Sequence, residues 1–162
     1  MIPVRIHSLS IDESSDQPVV ILKEVEGERL VPIWIGHYEA TAILLAIQGI
    51  EPPRPMTHDL MFALVGELGF ILERVEITRL EGGTFYAALI LRGEERTLAI
   101  DARPSDSIAL AVRAECPIVM AEEVLEEVGV VLESQTDTEA EVAQFRDFLE
   151  HISPEDFGGS HS

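Results

Sequence analysis

The 162-residue sequence is poor in cysteine, lysine and aromatic residues, and each shortage excludes a class of protein. The single cysteine, Cys116, excludes an intramolecular disulfide and any metal site built only from cysteines. Its position between a predicted helix and a predicted strand favours a buried structural thiol. Ten of the eleven basic residues are arginine, and aromatic residues make up 6% of the chain. The basic and aromatic stripe of a conventional nucleic-acid-binding protein is therefore missing.

Long apolar runs are also missing. No stretch reaches the roughly 18 apolar residues that a membrane-spanning helix needs, and the start, MIPVRIHSLSIDE, lacks the features of a secretory signal. Hydrophobic residues nevertheless form 46% of the chain, enough for one domain with a buried core. These features predict a soluble, cytoplasmic protein with no membrane partner.

Negative charge is abundant and unevenly distributed. The formal net charge is −19, and residues 122–162 hold twelve acidic residues against one basic residue, Arg146. An acidic chain repels the phosphate backbone of nucleic acids unless a basic patch or a bound divalent cation reverses the local field. A nucleic-acid function has to overcome this repulsion.

The pattern of apolar residues and turns predicts an α+β fold, with mixed or antiparallel sheets and helices packed on them. The predicted strands are 3–11, 18–25, 29–35, 70–80, 84–91, 96–100 and 117–120, and the predicted helices are 39–48, 57–69, 104–115 and 122–128. Each half combines strands, an alanine-rich helix and an Arg-Pro dipeptide, which suggests a weak internal duplication. We predict one domain over residues 1–132. Residues 133–162 are predicted to add an acidic helix (138–149) and a frayed tail (153–162).

Polar residues cluster at three predicted strand-to-helix junctions. The first turn of a helix leaves backbone N–H groups unpaired, and these groups attract anions such as phosphate. An arginine beside them can clamp the anion with two parallel hydrogen bonds. The predicted substrate-binding residues are Arg54, Arg103, Ser105 and His37.

The carboxylates at the same junctions suit a hydrolytic role. A hard divalent cation, Mg²⁺ or Mn²⁺, binds oxygen ligands and activates water against a phosphodiester. The predicted metal ligands are Asp101, Asp106 and Glu39. His58 is the natural proton carrier, and the predicted catalytic set is His58, Asp59, Asp101 and Asp106.

Each of these residues also has a structural interpretation. Hydroxyl side chains are typical helix N-caps, which fits Thr57 and Ser105. Carboxylates in a first helical turn complement the helix dipole, which fits Asp59 and Asp106. No glycine-rich phosphate loop, HExxH, GxSxG or paired CxxC motif accompanies them.

The structural interpretation extends to the remaining polar residues. Arg103 and Asp101 can form an ordinary salt bridge, and His58 and His37 can be hydrogen-bonded structural histidines. The chain would then be a non-catalytic regulatory or scaffold dimer, or a module that binds a small anionic ligand without hydrolysing it. Carboxylates that converge on an open cleft support a metal site, whereas carboxylates each taken up by an arginine or a backbone N–H support the scaffold.

Four stretches of the sequence resemble the bifunctional nuclease domain family. They are LVPIWIGHYEATAI (30–43), PRPMTHDLMFALVGELG (53–69), GGTFYAALIL (82–91) and IDARPSDSIALAVRAECPIVMAEEVLEEVG (100–129). The resemblance covers roughly residues 1–132 and implies a compact α+β fold, a homodimer, and cleavage of both DNA and RNA with a divalent cation. The residues selected above occupy its motif positions. The predicted function is therefore a metal-dependent nuclease with nucleic acid as its partner.

Overall fold

A computed structural model describes residues 1–132, which form one seven-stranded mixed sheet with four helices. The strands are β1 (Ile2–Asp12), β2 (Gln17–Glu24), β3 (Leu30–Trp34), β4 (Ile71–Glu81), β5 (Thr84–Arg92), β6 (Thr97–Ala102) and β7 (Ile118–Met120). The helices are α1 (His37–Ile47), α2 (Thr57–Glu67), α3 (Pro104–Ala114) and α4 (Glu122–Val128). The predicted α+β fold is confirmed. The predicted acidic helix and tail lie outside the described residues.

The sheet consists of two antiparallel meanders joined through β7. Its strand order is β3-β2-β1-β7-β4-β5-β6, and β7 runs antiparallel to β1 but parallel to β4. The β4–β5 turn contains Gly82 and Gly83 with φ of 57° and 78°, a left-handed conformation that glycine adopts without steric cost. Each meander leads into a helix. A shared order of elements does not establish a duplicated sequence, so the internal duplication stays a prediction.

The core covers both faces of β2, where the consecutive residues Val19, Val20 and Ile21 are all buried, but at β4 and β5 it lies on the face that α3 covers. The cross-strand partners Val75 and Leu89 point to this face and are buried, as is the neighbouring Ile77. The central helix, α3, packs on β4 and β5 and contacts both α1 and α2. It buries Ile108 and Leu110 almost completely. Because α3 lies between α1 and α2, its first turn meets the first turns of both neighbours.

Two helices begin one or two residues earlier than the predicted caps. The N-cap of α2 is Met56, whose backbone N–H donates to Asp59 Oδ2 at 3.0 Å. The N-cap of α3 is Arg103, because Pro104 occupies the first helical position, where its fixed φ and missing N–H are no disadvantage. The predicted N-cap roles of Thr57 and Ser105 are therefore wrong. No helix within residues 1–132 is long and apolar enough to cross a bilayer.

Candidate functional site

A pocket of about 340 Å³ opens between α1, α2 and α3. Residues from all three predicted clusters reach it, because α3 packs against both other helices. Apolar side chains and charged groups share its lining. The lining residues are Tyr38, Glu39, Thr41, Ala42, Leu45, Met56, Thr57, His58, Arg103, Asp106 and Arg113.

Arg103 joins two of the carboxylates in this pocket. Its Nε and Nη2 donate to Asp106 Oδ2 and Oδ1 at 2.9 and 3.2 Å, and its Nη1 donates to Glu39 Oε1 at 3.0 Å. Hydrogen bonding to Asp106 raises the pKa of Arg103, and the charge of Glu39 adds to the shift. The side chain remains 44% exposed, so solvent reaches the guanidinium. The predicted salt bridge between Arg103 and Asp101 is wrong, since Asp106 and Glu39 are the partners.

His58 and Asp106 form a second contact across the helices. His58 is the buried residue of α2, and its Nε2 lies 2.8 Å from Asp106 Oδ1. Burial raises the pKa of Asp106, but the hydrogen bonds from His58 and Arg103 outweigh burial and hold that pKa below its ordinary value. Asp106 is therefore ionised at neutral pH. An ionised carboxylate favours the tautomer with the proton on Nε2, which leaves Nδ1 of His58 able to accept a proton.

Asp59 and Arg113 fasten α2 to α3 beside the pocket. Arg113 Nε donates to Asp59 Oδ1 at 2.8 Å, and Arg113 Nη1 donates to the Ala109 carbonyl at 2.8 Å. The Arg113 guanidinium, followed by the Met56 N–H, lowers the pKa of Asp59. Both carboxylate oxygens of Asp59 are thus occupied. In this arrangement the predicted catalytic residue Asp59 anchors a helix and is absent from the pocket lining.

Glu39 reaches Arg103 because α1 begins at a glycine. The Glu39 side chain is 7% exposed, and a Cβ added to the N-cap residue Gly36 would lie 2.6 Å from Glu39 Oε2. The backbone conformation of Gly36 is one that any residue can adopt. The missing Cβ of Gly36 therefore leaves space for the Glu39 carboxylate.

Asp101 lies away from the pocket. It is exposed on β6 and pairs with Ala88, while its neighbour Ile100 pairs with the core residue Leu89. Successive residues of a strand point to opposite faces. Asp101 is therefore on the sheet face opposite to that of Leu89, on which α3 packs.

The described carboxylates do not fit a divalent cation in this arrangement. The Arg103 guanidinium bonds to both Glu39 and Asp106, which are the carboxylates that a cation would need. Within residues 1–132, no three His, Cys, Asp or Glu side chains form a group that could hold a metal ion. The predicted ligands Asp101, Asp106 and Glu39 are not brought together. Metal dependence stays a prediction.

The other predicted substrate-binding residues lie outside the pocket lining. Arg54 is exposed in the connector that precedes α2. Ser105 is buried in the first turn of α3. His37 begins α1, and its Nε2 lies 3.0 Å from the carbonyl oxygen of Asp16 in the turn between β1 and β2. Of the four predicted substrate-binding residues, the described pocket contains Arg103.

The pocket lies within a stretch that matches a known family. Residues 20–133, more than half of the chain, match the family model described as the bifunctional nuclease domain. The chain belongs to this family. All residues that line the pocket fall inside the matched stretch of the bifunctional nuclease domain.

Individual relatives of this bifunctional nuclease domain differ in length and identity. An uncharacterized protein of Mycobacterium tuberculosis is 45% identical over 161 residues, which cover 95% of this chain and 96% of the relative. Bifunctional nuclease 1 of Oryza sativa subsp. indica is 27% identical over 139 residues, 83% of this chain but 42% of the rice protein. Bifunctional nuclease 1 of Arabidopsis thaliana is 25% identical over 112 residues, 67% of this chain and 34% of the plant protein. This chain therefore spans less than half of these two plant nucleases.

Sequence reasoning missed three residues that shape this bifunctional nuclease domain pocket. Arg113 lies at the far end of α3 from Arg103, and nothing local connects it with Asp59. Met56 precedes the predicted helix start. Gly36 carried a usable signal, since a glycine three positions before a glutamate in a first helical turn leaves room for that side chain. Cys116 is free and half-buried, less buried than the sequence predicts, and burial raises the pKa of its thiol.

Proposed function

We propose that this domain hydrolyses phosphodiester bonds of nucleic acid in the pocket between α1, α2 and α3. The observation that carries the proposal is the 2.8 Å contact between His58 Nε2 and Asp106 Oδ1, beside the solvent-accessible guanidinium of Arg103. A histidine oriented by an ionised carboxylate is suited to general acid–base catalysis. Relatives named bifunctional nuclease in rice and Arabidopsis support nucleic acid as the substrate class.

In the proposed reaction, Nδ1 of His58 accepts a proton from the attacking water. Asp106 is a positioning residue that holds the imidazole and stabilises its charge when it becomes protonated. As the bond from water to phosphorus forms, the bond from phosphorus to the leaving oxygen breaks. The proton on His58 is then available to that oxygen.

Arg103 is the proposed phosphate ligand. Three of its five N–H donors bond to Asp106 and Glu39, and a non-bridging phosphate oxygen accepts one of the other two. A guanidinium fixed in this way offsets the negative charge that develops on phosphorus oxygens during the reaction. Glu39 keeps the guanidinium oriented.

A second candidate function is a non-catalytic scaffold. A specific observation favours it: each of the three carboxylates Glu39, Asp59 and Asp106 already bonds to an arginine. These ion pairs lock α1 and α2 onto α3 without any need for a ligand. The net charge of −19 also opposes binding of a polyanion.

We further propose that the domain forms a homodimer through an apolar stripe on α2. Met56, Leu60, Leu64 and Leu68 recur at every fourth position, so they share one side of the helix. Each of them is at least half exposed. Contiguous apolar surface of this kind marks an interaction site on a folded protein, and a self-complementary stripe suits the two-fold symmetry of a dimer.

Cleavage assays on single-stranded and double-stranded DNA and RNA distinguish the nuclease from the scaffold. We expect His58→Ala and Asp106→Asn to lower the cleavage rate by about 100-fold or more, as loss of general acid–base catalysis does. Asp101→Asn should leave the cleavage rate unchanged. If Asp101 were a metal ligand, this variant would lose most of its cleavage rate. Thermal melts of each variant confirm that it is folded. A folded wild-type protein that cleaves none of the four substrates would overturn the nuclease and leave the scaffold.

A further inference from the structure

We propose that the pocket accepts an unpaired nucleobase stacked on Tyr38, so that the substrate is single-stranded nucleic acid. This inference rests on the proposed function and adds the form of the substrate and a residue that selects it. Tyr38 is 84% exposed and lies on the same pocket lining as His58 and Arg103.

Tyr38 combines an exposed ring with a firmly held backbone. It is the second residue of α1, whose first turn is fastened by the contact of Glu39 with Arg103 and by the Thr41 hydroxyl, which donates to the His37 carbonyl at 2.9 Å. A tyrosine has few rotatable bonds, and covering its ring removes a large apolar area from water. A base can therefore stack on Tyr38 at a small cost in conformational entropy.

The rest of the lining suits one base and its phosphate. Ala42, Leu45 and Met56 supply apolar surface, and Arg103 supplies a phosphate donor. A cavity of about 340 Å³ is near the lower end of the range for small-molecule sites. Bases within a duplex are paired and stacked, so they reach such a pocket only after leaving the helix, whereas the bases of a single strand are already free to stack on a side chain.

Base stacking also gives an acidic protein a way to bind nucleic acid despite its repulsion of the phosphate backbone. The charged side chains in and beside the pocket are three carboxylates, those of Glu39, Asp59 and Asp106, and two guanidinium groups, those of Arg103 and Arg113. This region therefore attracts phosphate weakly. Stacking between a base and an aromatic ring does not need a basic surface. With one or two phosphate contacts, the slope of log K against log salt concentration should lie between about −0.7 and −1.4 for a single strand.

A second pocket lies beside the first and provides a matched control. It has a volume of about 380 Å³, is bounded by the same three helices, and also contains an aromatic side chain, Phe62. Its lining carries the carboxylates of Glu51, Asp59 and Glu115, which repel a phosphate backbone. Phe62→Ala therefore removes an aromatic ring close to the site without removing the proposed stacking partner.

Fluorescence anisotropy tests the inference on the full chain. The probes are a fluorescein-labelled single-stranded DNA of about 12 nucleotides, the corresponding duplex, and an abasic strand with the same number of phosphates; gels verify that each probe is intact. We expect the wild-type protein to prefer the single strand. Tyr38→Ala should weaken that binding by roughly 5- to 100-fold, the range for loss of one stacked base. Tyr38→Phe and Phe62→Ala should bind within about twofold of wild type, because both retain a ring at position 38.

The outcomes separate this inference from the proposed function. Equal binding of single strand and duplex, equal binding of the abasic strand, or no effect of Tyr38→Ala overturns base stacking and leaves hydrolysis by His58 and Asp106 intact. The expected binding pattern without cleavage supports stacking and overturns the hydrolysis. A wild-type protein that binds none of the probes overturns both.

Discussion

His58 Nε2 lies 2.8 Å from Asp106 Oδ1, although the two residues are 48 positions apart in the sequence. The contact connects the first turn of α2 to the first turn of α3. It also places a proton carrier next to Arg103, which bonds to the same carboxylate. The site therefore depends on the packing of three helices more than on any single motif.

Removal of Arg103 should destabilise the protein without creating a metal site. Arg103→Ala leaves the buried Glu39 without its partner and should cost about 1–3 kcal/mol of unfolding free energy, less than a fully buried pair, because Arg103 is 44% exposed. Within residues 1–132 no three His, Cys, Asp or Glu side chains form a group that could hold a metal ion, so Mn²⁺ should leave the melting temperature of this variant unchanged. Differential scanning fluorimetry with and without Mn²⁺ measures both effects.

The exposed Arg54 provides the control for this measurement, because Arg54→Ala should behave as wild type. A clear rise in the melting temperature of the wild-type protein with Mn²⁺ would contradict the expectation. It would mean that the carboxylates bind a cation while Arg103 is present, and it would support the metal dependence predicted from the sequence.

Gly36→Ala should destabilise the protein through Glu39. The new Cβ would meet Glu39 Oε2 at 2.6 Å, and displacing that carboxylate from Arg103 should cost about 1–3 kcal/mol. In a Glu39→Ala background the same substitution should cost little, so a double-mutant cycle measured by urea unfolding should give a coupling of that size.

Gly66 is a contrasting glycine. It lies in the last turn of α2, and a Cβ there would meet no atom within 4 Å. Gly66→Ala should therefore stabilise the protein by about 0.5–1 kcal/mol. Equal effects at the two glycines would contradict the close approach of Glu39 to Gly36.

The unfolding free energy should fall in acid partly because of Asp106. Its pKa is lowered in the folded protein, so its contribution is fully present above the ordinary value of 3.8 and is lost as pH falls through the lowered pKa. Asp106→Asn removes a titrating group and should flatten this part of the profile. Urea unfolding at a series of pH values between about 6 and 2 measures the slopes.

Some acid sensitivity should remain in Asp106→Asn, because the pKa values of Asp59 and Glu24 are also lowered. Identical profiles for the variant and the wild type would mean that His58 and Arg103 do not stabilise the ionised form of Asp106.

Leu64→Glu should convert the proposed dimer to a monomer. The substitution places a charge in the middle of the apolar stripe of α2, where a partner copy would bury it. Light scattering after gel filtration should give about twice the chain mass of 17.9 kDa for the wild type and the chain mass for the variant. Ile11→Glu, at an exposed position of β1, should remain dimeric. A wild-type protein with the mass of one chain would contradict the proposal.

The sequence by itself determined the secondary structure of residues 1–132 to within a few residues. The predicted strand 70–80 corresponds to β4 (Ile71–Glu81), and the predicted helix 104–115 corresponds to α3 (Pro104–Ala114). Alternation of apolar residues, glycine turns and the proline of α3 act over short distances along the chain, so they can be read without knowledge of the fold. The ion pair between Arg103 and Asp106 could also have been predicted from the sequence, because residues three positions apart at the start of a helix are neighbours.

Only the tertiary structure decided which carboxylates belong to the site. Asp101 and Asp106 lie close to Arg103 in sequence, but strand alternation directs Asp101 to the opposite sheet face, while Asp106 turns toward α2. The contacts with His58 and Glu39 follow from how α3 packs between its neighbours. That packing is set by apolar contacts throughout the core, and no local stretch of sequence contains the information.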